Sequence, residues 1–319
     1  MARQTALVLG ATGGIGGEMA RHLQAAGWQV RALHRQAARA GHGQGDVDWR
    51  QGDAMQAADV AAAAAGVSLI VHAVNPPGYR NWGQLVLPMI DNTIAAARAT
   101  GARILMPGTI YNYGLDAFPS VSEEAPQRAT TAKGAIRIEL ERRLRAAARD
   151  GVRTLVVRAG DFFGPRAANN WFSQAMVKAG RPITAITTPA TAGVGHQWAF
   201  LPDLAATMMQ LLAREAELDA FATFHMDGHW DADGTAMIGA IRRAVGRPEL
   251  PVRHLPWWLI ALASPVVPFC RELNEVRYFW QHPMRLDNSR LERFLGHEPH
   301  TPLDEAVRTT LEPLIPAAV

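Results

Sequence analysis

A glycine-rich turn near the start of the chain constrains the fold more than any other feature of the sequence. Residues 9–16 read Leu-Gly-Ala-Thr-Gly-Gly-Ile-Gly and lie between an apolar stretch, residues 5–9, and a helical pattern that runs to about residue 26. Such glycine spacing permits a tight turn, close approach of the backbone to a pyrophosphate and close packing of helix on strand. The turn residues predicted to contact a dinucleotide at the positive end of the helix are Gly10, Thr12, Gly13, Gly14, Ile15 and Gly16.

Short apolar segments alternate with helical patterns through the first half of the chain. Because strands that are apolar throughout and alternate with helices are typical of βαβ units, they indicate a parallel sheet. The sequence therefore predicts an α/β protein with a Rossmann-type, doubly wound parallel sheet. Its strands are predicted at residues 5–9, 30–33, 69–74, 103–106 and 153–158, and its helices at 54–65, 84–100 and 131–149.

The pattern changes after Gly164, where aromatic residues, Pro and Gly become frequent. We expect strands near residues 197–200 and 222–226 to rejoin the sheet. The predicted domains are an NAD(P)-binding Rossmann domain, residues 1–165 with about 196–228, and a smaller, mostly helical substrate-binding lobe, about 166–195 and 229–319. The cleft between these two lobes is the expected substrate site.

Composition narrows the class of protein. The net charge of the 319 residues is +3 and no Lys/Arg run occurs, so we expect a small-molecule substrate and no nucleic acid. Cys270 is the single cysteine, and the chain opens directly into a strand, which favours a cytoplasmic protein. We expect a monomer or a homodimer. His225 and His229 lack further ligands near them in the sequence, so no metal site is predicted.

The longest uncharged apolar stretch, residues 255–270, is too short to span a bilayer and contains Pro265 and Pro268. We therefore predict no stable membrane insertion. The stretch could line a cleft or the core, form a dimer face, or rest on a membrane surface, and we rank these possibilities in that order.

The residues after the second strand bear on the choice of cofactor. No acidic residue occurs between the end of the second strand and Asp46 to hold ribose hydroxyls, whereas His34 and Arg35 follow the strand directly. Arg35 could accept a 2′-phosphate, so NADP(H) is favoured over NAD(H), although a solvated arginine is the alternative. Asp53 could receive the adenine amino group or cap the next helix. Further cofactor contacts are predicted at the end of the strand at residues 69–74 and directly after it, at Ala73, Val74 and Asn75.

The glycine turn and four later segments, in the same order, resemble the extended and atypical short-chain dehydrogenase/reductase superfamily, including its epimerase/dehydratase group. Residues 106–114 (MPGTIYNYG) look like the segment that carries the catalytic Ser/Thr, and residues 158–165 (RAGDFFGP) look like the segment beside the nicotinamide. Residues 198–205 and 224–228 resemble later elements of that family. The resemblance spans about residues 5–245 and implies a catalytic role for Thr109 and cofactor contacts for Arg158 and Gly160.

The sequence departs from this family at its Tyr-x-x-x-Lys pair. Lys133 stands where the resemblance places the Tyr, and Arg137 stands where it places the Lys. The same helix resembles the isoflavone-reductase-like members, which implies a Lys as general acid/base and a preference for NADPH. Desolvation in a half-buried cleft, with Arg137 nearby, would help Lys133 to exchange a proton; a solvated Lys at a helix start is the alternative. Tyr111 could supply a replacement phenol.

Three functions follow from these observations. The leading hypothesis is an atypical NADP(H)-dependent oxidoreductase acting on a small, fairly apolar carbonyl, imine or activated alkene. A second is an NAD(P)-dependent epimerase or dehydratase, of the kind that acts on sugar nucleotides and keeps its cofactor bound. A third is a non-catalytic NAD(P)-binding sensor, which loss of the Tyr-x-x-x-Lys pair would favour.

Overall fold

The computed structural model describes residues 4–40, 46–76, 81–167, 170–178 and 180–314. Its strands, numbered along the chain, are β1 (Thr5–Leu9), β2 (Gln29–His34), β3 (Val47–Gln51), β4 (Leu69–His72), β5 (Arg103–Gly108), β6 (Ser120–Val121), β7 (Thr154–Arg158), β8 (Asp161–Phe163), β9 (Ile186–Thr188), β10 (His196–Phe200), β11 (Phe221–His225), β12 (His229–Asp231), β13 (Val252–His254) and β14 (Arg285–Leu286). Its helices are α1 (Gly14–Ala25), α2 (Ala37–Ala40), α3 (Ala57–Ala64), α4 (Trp82–Thr100), α5 (Ala132–Arg149), α6 (Leu201–Ala213), α7 (Ala236–Ala244), α8 (Trp257–Ala263), α9 (Pro268–Glu275), α10 (Ser289–Leu295) and α11 (Leu303–Leu311).

The main sheet has seven strands in the order β11-β7-β5-β4-β1-β2-β3. Neighbouring strands from β7 across to β3 run parallel, and helices connect most of them. The chain order reverses between β1 and β4, since β2 and β3 lie on one side of β1 and the later strands on the other. Ligands of such sheets bind at this reversal, beyond the carboxyl ends of the strands. The predicted Rossmann-type α/β fold is confirmed, and β11 joins this sheet as expected.

The central strands are apolar because both of their faces are covered. Every residue of β4 and β7 is buried, as are four of the five residues of β1. The helices between the strands end where the sequence supplies a left-handed glycine: α4 stops at Gly101, with φ of 74°, and Gly151, with φ of 87°, follows α5. The chain therefore turns at each of these glycines and continues directly into the next strand of the sheet.

One predicted strand lies in a different sheet. Residues 197–200 form part of β10, which does not rejoin the main sheet but pairs with β8 and β12 in a separate three-stranded sheet. Gly160 allows this arrangement, because a Cβ there would lie 2.2 Å from the carbonyl oxygen of Gln197. The side chains also match, since His196 Nε2 lies 2.9 Å from Asp161 Oδ2 across β10 and β8.

The chain forms two compact units. The first comprises the described residues within Met1–Thr109, Ala132–Arg158 and Ala205–Phe224, and the second those within Ile110–Thr131, Ala159–Leu204 and His225–Val319. The second unit contains three small sheets in addition to the predicted helices. Its larger core cluster is rich in aromatic side chains, among them Phe163, Phe172, Trp198, Trp257 and Trp280. No helix in the described part of the chain is long and apolar enough to cross a membrane.

Candidate active site

The glycine turn lies at the carboxyl end of β1, next to the reversal point of the sheet. Gly10 has a φ of 91°, and a Cβ on it would lie 2.6 Å from the carbonyl oxygen of Ala73. A Cβ on Gly16 would lie 2.1 Å from the carbonyl oxygen of Gly10, so only glycine lets α1 start this close to the strand. Gly13 is the N-cap residue of α1, and the first turn of that helix has no acidic side chain. This cradle fits a dinucleotide pyrophosphate.

The other turn residues differ in their exposure to solvent. Thr12 and Gly13 are exposed, Gly14 is half-buried, and Ile15 is buried beneath them. The amide of Gly13 donates to the carbonyl oxygen of Gly10 at 2.9 Å, which closes the turn. The free end of α1 therefore faces solvent while its apolar side is anchored in the first unit.

The end of β4 borders the same turn. Leu9 and His72 are register partners in β1 and β4, so Ala73, Val74 and Asn75 follow directly beside Gly10. Ala73 and Val74 are half-buried and Asn75 is exposed. The structure thus brings these three predicted cofactor residues to the glycine turn.

The residues after β2 lie at the neighbouring strand end. Arg35 is exposed, and its carbonyl oxygen accepts a hydrogen bond from the Gln51 side-chain amide. The amide of Gln36 donates to His34 Nδ1 at 3.0 Å. Asp53 lies four residues before α3 begins at Ala57, and its carboxylate accepts from the amide of Met55 at 3.0 Å. Asp53 therefore stabilises the turn before α3 but does not cap the helix, whose N-cap residue is Gln56, and its contact with adenine stays a prediction.

Helix α5 directs a stripe of charged side chains inward. Lys133, Arg137 and Glu141 are spaced four residues apart, so they share one face of the helix, and their exposed fractions are 2%, 8% and 2%. Arg137 donates to Asn75 Oδ1 at 3.1 Å and lies 4.8 Å from the ring centre of Trp82. The solvated interpretation of Lys133 is therefore wrong, and the expected half-burial was an underestimate, because the side chain is almost fully buried.

Glu141 and Arg158 form a buried ion pair at the inner end of this stripe. The same Arg158 nitrogen donates to both Glu141 carboxylate oxygens, at 2.7 and 3.0 Å, and the side chains are 3% and 0% exposed. Arg158 also donates to the carbonyl oxygen of Thr109. Because Thr109 is half-buried directly after β5, this pair fixes the strand end where the resemblance places the catalytic Ser/Thr. A contact between Arg158 and the cofactor stays a prediction.

His72 is a buried histidine that sequence reasoning missed. Its Nδ1 lies 2.8 Å from the Thr93 hydroxyl, which itself donates to the Met89 carbonyl oxygen at 3.1 Å. Thr93 has one hydroxyl proton, so His72 Nδ1 carries the hydrogen of the first bond. Burial, with a smaller contribution from the Arg137 charge, lowers the pKa of His72 to about 3. The imidazole is therefore neutral at physiological pH.

This titration makes the protein less stable in mild acid. The folded-state pKa of His72 lies below its unfolded value, so its contribution is present above about pH 6.5 and is lost as the pH falls towards 3. Between pH 7.5 and pH 5, we expect His72 to remove about 2 kcal/mol of the unfolding free energy. His72→Asn retains a donor towards Thr93 but does not titrate. Urea unfolding measures the decrease in unfolding free energy between pH 7.5 and pH 5. This decrease should be about 2 kcal/mol smaller in His72→Asn than in wild type, and equal decreases in the two proteins would contradict the assignment.

In the second unit, the tyrosines near the predicted catalytic segment are packed. Tyr113 is fully buried, and its hydroxyl lies 3.3 Å from His225 Nε2. Tyr278 donates to the Tyr113 carbonyl oxygen at 2.9 Å, and burial raises the pKa of Tyr278 above its ordinary value, which disfavours a phenolate. Tyr111 is half-buried, with its ring 5.7 Å from that of Phe279. Its catalytic role stays a prediction.

Three other buried histidines contact neighbouring backbone, carboxylate or aromatic groups. His225 Nδ1 lies 3.0 Å from the Val121 carbonyl oxygen, and His229 is buried beside His300, with ring centres 4.5 Å apart. His196, paired with Asp161, stacks on Trp280 at 3.7 Å. Within the described ranges, no group of three His, Cys, Asp or Glu side chains is arranged to hold a metal ion.

The first half of the chain is similar in sequence to a known protein family. Residues 10–160 match the family model described as NAD(P)H-binding. No curated protein sequence matches the chain significantly. The first half of the chain is therefore similar to NAD(P)H-binding domains, in agreement with that part of the resemblance.

The fold of the whole chain is that of known epimerase structures. A nucleoside-diphosphate-sugar epimerase from Pseudomonas aeruginosa is 18% identical, with a TM-score of 0.72 over 98% of this chain and 97% of that one. The UDP-glucose 4-epimerase from Bifidobacterium longum, solved with NAD+ and UDP, is 15% identical, with a TM-score of 0.72 over 97% and 98% of the two chains. MoeE5, in complex with UDP-glucose and NAD, is 17% identical, with a TM-score of 0.74 over 97% of both chains. The predicted likeness to the epimerase/dehydratase group is confirmed at the level of the fold.

Proposed function

We propose that this protein is an NADP(H)-dependent oxidoreductase that acts on a small, fairly apolar carbonyl, imine or activated alkene. The observation that carries the proposal is Lys133, buried at the start of α5 where the resemblance places a catalytic tyrosine. The chain has only one other lysine, the exposed Lys178, among its 32 Lys and Arg residues. An inward-facing lysine on this helix, in a chain that otherwise uses arginine, supports a chemical role.

The cofactor would be held by the first unit. The backbone amides at the start of α1 would bind the pyrophosphate, and Arg35 would bind the 2′-phosphate that distinguishes NADP(H) from NAD(H). Asn75, which accepts from Arg137, would border the ribose. When bound, the cofactor supplies the hydride.

The protein's own groups supply the proton and the positioning. The Lys133 ammonium would donate a proton from Nζ to the substrate atom that becomes electron-rich as hydride arrives. Arg137 lies on the same face of α5 as Lys133, and its side chain contacts Asn75 and Trp82. It would orient bound groups while remaining protonated. The Thr109 hydroxyl would hydrogen-bond a substrate oxygen at the end of β5.

Replacing Lys133 tests the chemical part of the proposal. A panel of carbonyl, imine and enone compounds is screened for NADPH consumption, and the best substrate is then used. Lys133→Met should lower kcat by about 100-fold or more, because general acid catalysis contributes at least that much, while the Kd for NADPH changes little. Lys178→Met is the matched control and should behave as wild type. Unchanged turnover in Lys133→Met would overturn the proposed role.

Replacing Arg35 tests the cofactor preference separately. Arg35→Ser removes a charged partner of the 2′-phosphate, so the Kd for NADPH should rise by about 10- to 100-fold while the Kd for NADH stays within a factor of about three. Arg98→Ser, at an exposed arginine paired with Asp150, is the control. Equal effects on both cofactors would argue against a 2′-phosphate contact.

A nucleotide-sugar epimerase is the second candidate, because the structural neighbours that carry this name align over nearly the whole chain. An enzyme that oxidises and re-reduces one substrate retains its cofactor between turnovers. Denaturing the purified protein should then release about one equivalent of NAD(H) or NADP(H), and a UDP-sugar should be epimerised without net redox change. NADPH binding without any turnover would instead favour a sensor.

A further inference from the structure

Large exposed apolar side chains are concentrated in one helical hairpin of the second unit. Helices α8 and α9 contact each other, and we call residues 256–269 the hairpin tip. Leu115 is the one other large apolar side chain with comparable exposure in the part of the chain that the structure describes. The exposed apolar side chains of the hairpin tip are Trp258 (68%), Leu259 (45%), Leu262 (73%), Val266 (81%), Val267 (40%) and Phe269 (54%).

The hairpin tip is anchored by its other face. Trp257 and Ile260 are each 9% exposed and belong to the aromatic core of the second unit. The Trp257 indole donates to the carbonyl oxygen of Pro189 at 2.8 Å, which fixes α8 on that core. The exposed apolar side chains are therefore presented by a fixed scaffold. The sequence-based preference for a core or cleft role does not describe them.

Several polar groups of the hairpin tip are paired within the tip itself. The Ser264 hydroxyl donates to the Ala261 carbonyl oxygen at 2.8 Å, and the amides of Val266 and Val267 donate to the Ala263 carbonyl oxygen at 3.1 and 2.9 Å. An apolar medium requires such internal pairing, whereas water does not. Three residues of the tip have no N–H at all, namely Pro256, Pro265 and Pro268.

Charge is placed only at the two ends of this segment. No charged residue occurs from 255 to 270, while the exposed Arg253 and His254 precede it and the exposed Arg271 follows it, next to the half-buried Glu272. Basic residues that flank an apolar insertion are complementary to anionic lipid headgroups. A protein partner would be expected to use a polar rim with several hydrogen bonds, and the tip offers few donors for one.

We propose that the hairpin tip inserts into the surface of an anionic phospholipid bilayer, with Arg253 and Arg271 at the headgroups. The seven residues of α8 rise about 10 Å, which matches the depth of an interfacial contact rather than a membrane span. Trp258 and Phe269 are the kinds of side chain that favour this interface. The inference does not depend on the proposed reaction, and it would place the protein where poorly water-soluble molecules partition.

Vesicle flotation of the full chain tests this proposal. Vesicles of phosphatidylcholine with one quarter phosphatidylglycerol should bind the wild-type protein about tenfold more tightly than vesicles of phosphatidylcholine alone. The variant Leu262→Ser/Val266→Ser/Phe269→Ser should bind the anionic vesicles at least about tenfold more weakly. Leu115→Ser, which removes an exposed apolar side chain elsewhere, should bind as wild type. Unchanged NADPH affinity and circular dichroism would show that the variants are folded.

Three outcomes would overturn the proposal. The first is a wild-type protein that does not float with either vesicle, and the second is equal binding by wild type and the triple variant. The third is a wild-type protein that binds no vesicles but forms a dimer in sedimentation velocity, while the triple variant is a monomer. This outcome would assign the hairpin tip to contact with a second copy of the chain. Equal affinity for the two vesicle compositions would overturn the role of the flanking arginines.

Discussion

Gly16→Ala should raise the Kd for NADPH by about 100-fold or more, which corresponds to at least about 2.7 kcal/mol. The added Cβ would lie 2.1 Å from the Gly10 carbonyl oxygen, and that contact is with backbone, which cannot move aside as a flexible side chain could. Helix α1 would have to shift away from β1, and the amides at its start would move with it. Isothermal titration with NADPH measures the loss directly.

The control for this change is another glycine-to-alanine substitution. Gly83 lies exposed in the first turn of α4, and a Cβ there would meet nothing within 4 Å. Gly83→Ala should therefore keep the NADPH affinity, and its thermal midpoint should be equal to or above that of wild type. If Gly16→Ala is folded by circular dichroism and still binds NADPH as wild type, the turn is not the cofactor site.

Arg158→Met should lower the free energy of unfolding by about 3–5 kcal/mol, because it leaves the Glu141 carboxylate buried without its ion-pair partner. Glu141→Gln should also lower the free energy of unfolding, because it leaves the Arg158 guanidinium buried without a carboxylate partner. The double variant Arg158→Met/Glu141→Leu removes both charges and should lose less than the sum of the two single changes. Urea unfolding of the three variants measures this coupling.

The exposed pair Arg214–Glu217 provides the comparison. Its side chains are 40% and 53% exposed, so Arg214→Met should change the unfolding free energy by less than about 1 kcal/mol. Losses of similar size at Arg158 and Arg214, or additive losses in the double variant, would show that burial does not make the Arg158–Glu141 pair important.

The parts of the fold that follow from local patterns were predicted from the sequence. Most strands and helices of the first unit have a clear local pattern, and the glycine turn marks the first βα unit, whereas the edge strand β3 was not among the predicted strands. Strand β10 was assigned to the wrong sheet because strand pairing depends on distant partners: the residues of β8 and β12 that pair with β10 are more than 30 positions away along the chain. Apolar content alone cannot distinguish a central strand from one in a small separate sheet.

The sequence identified many residues of the candidate site, but it did not predict how deeply they are buried. The Gly-x-x-Gly-x-x-Gly spacing is itself the geometry of the cradle, so those positions could be found. Lys133, Arg137 and Glu141 also have visible helical spacing, but a charged stripe ordinarily indicates a solvated face, and only packing turns it inward. His72 gave no signal, since a polar residue at the end of an apolar strand is common. The exposed hairpin tip was ranked as core because exposure is a tertiary property.

The most direct test of the central claim is a titration of the purified protein with NADPH and with NADH, followed by nicotinamide fluorescence. We expect tight NADPH binding and NADH binding that is weaker by about tenfold or more, because Arg35 lies exposed at the end of β2 where NAD-binding domains carry an acidic residue. A preference for NADH would contradict the NADP(H) assignment and favour the epimerase-like candidate. If neither dinucleotide binds a protein from which any retained cofactor has been removed, the proposed function fails.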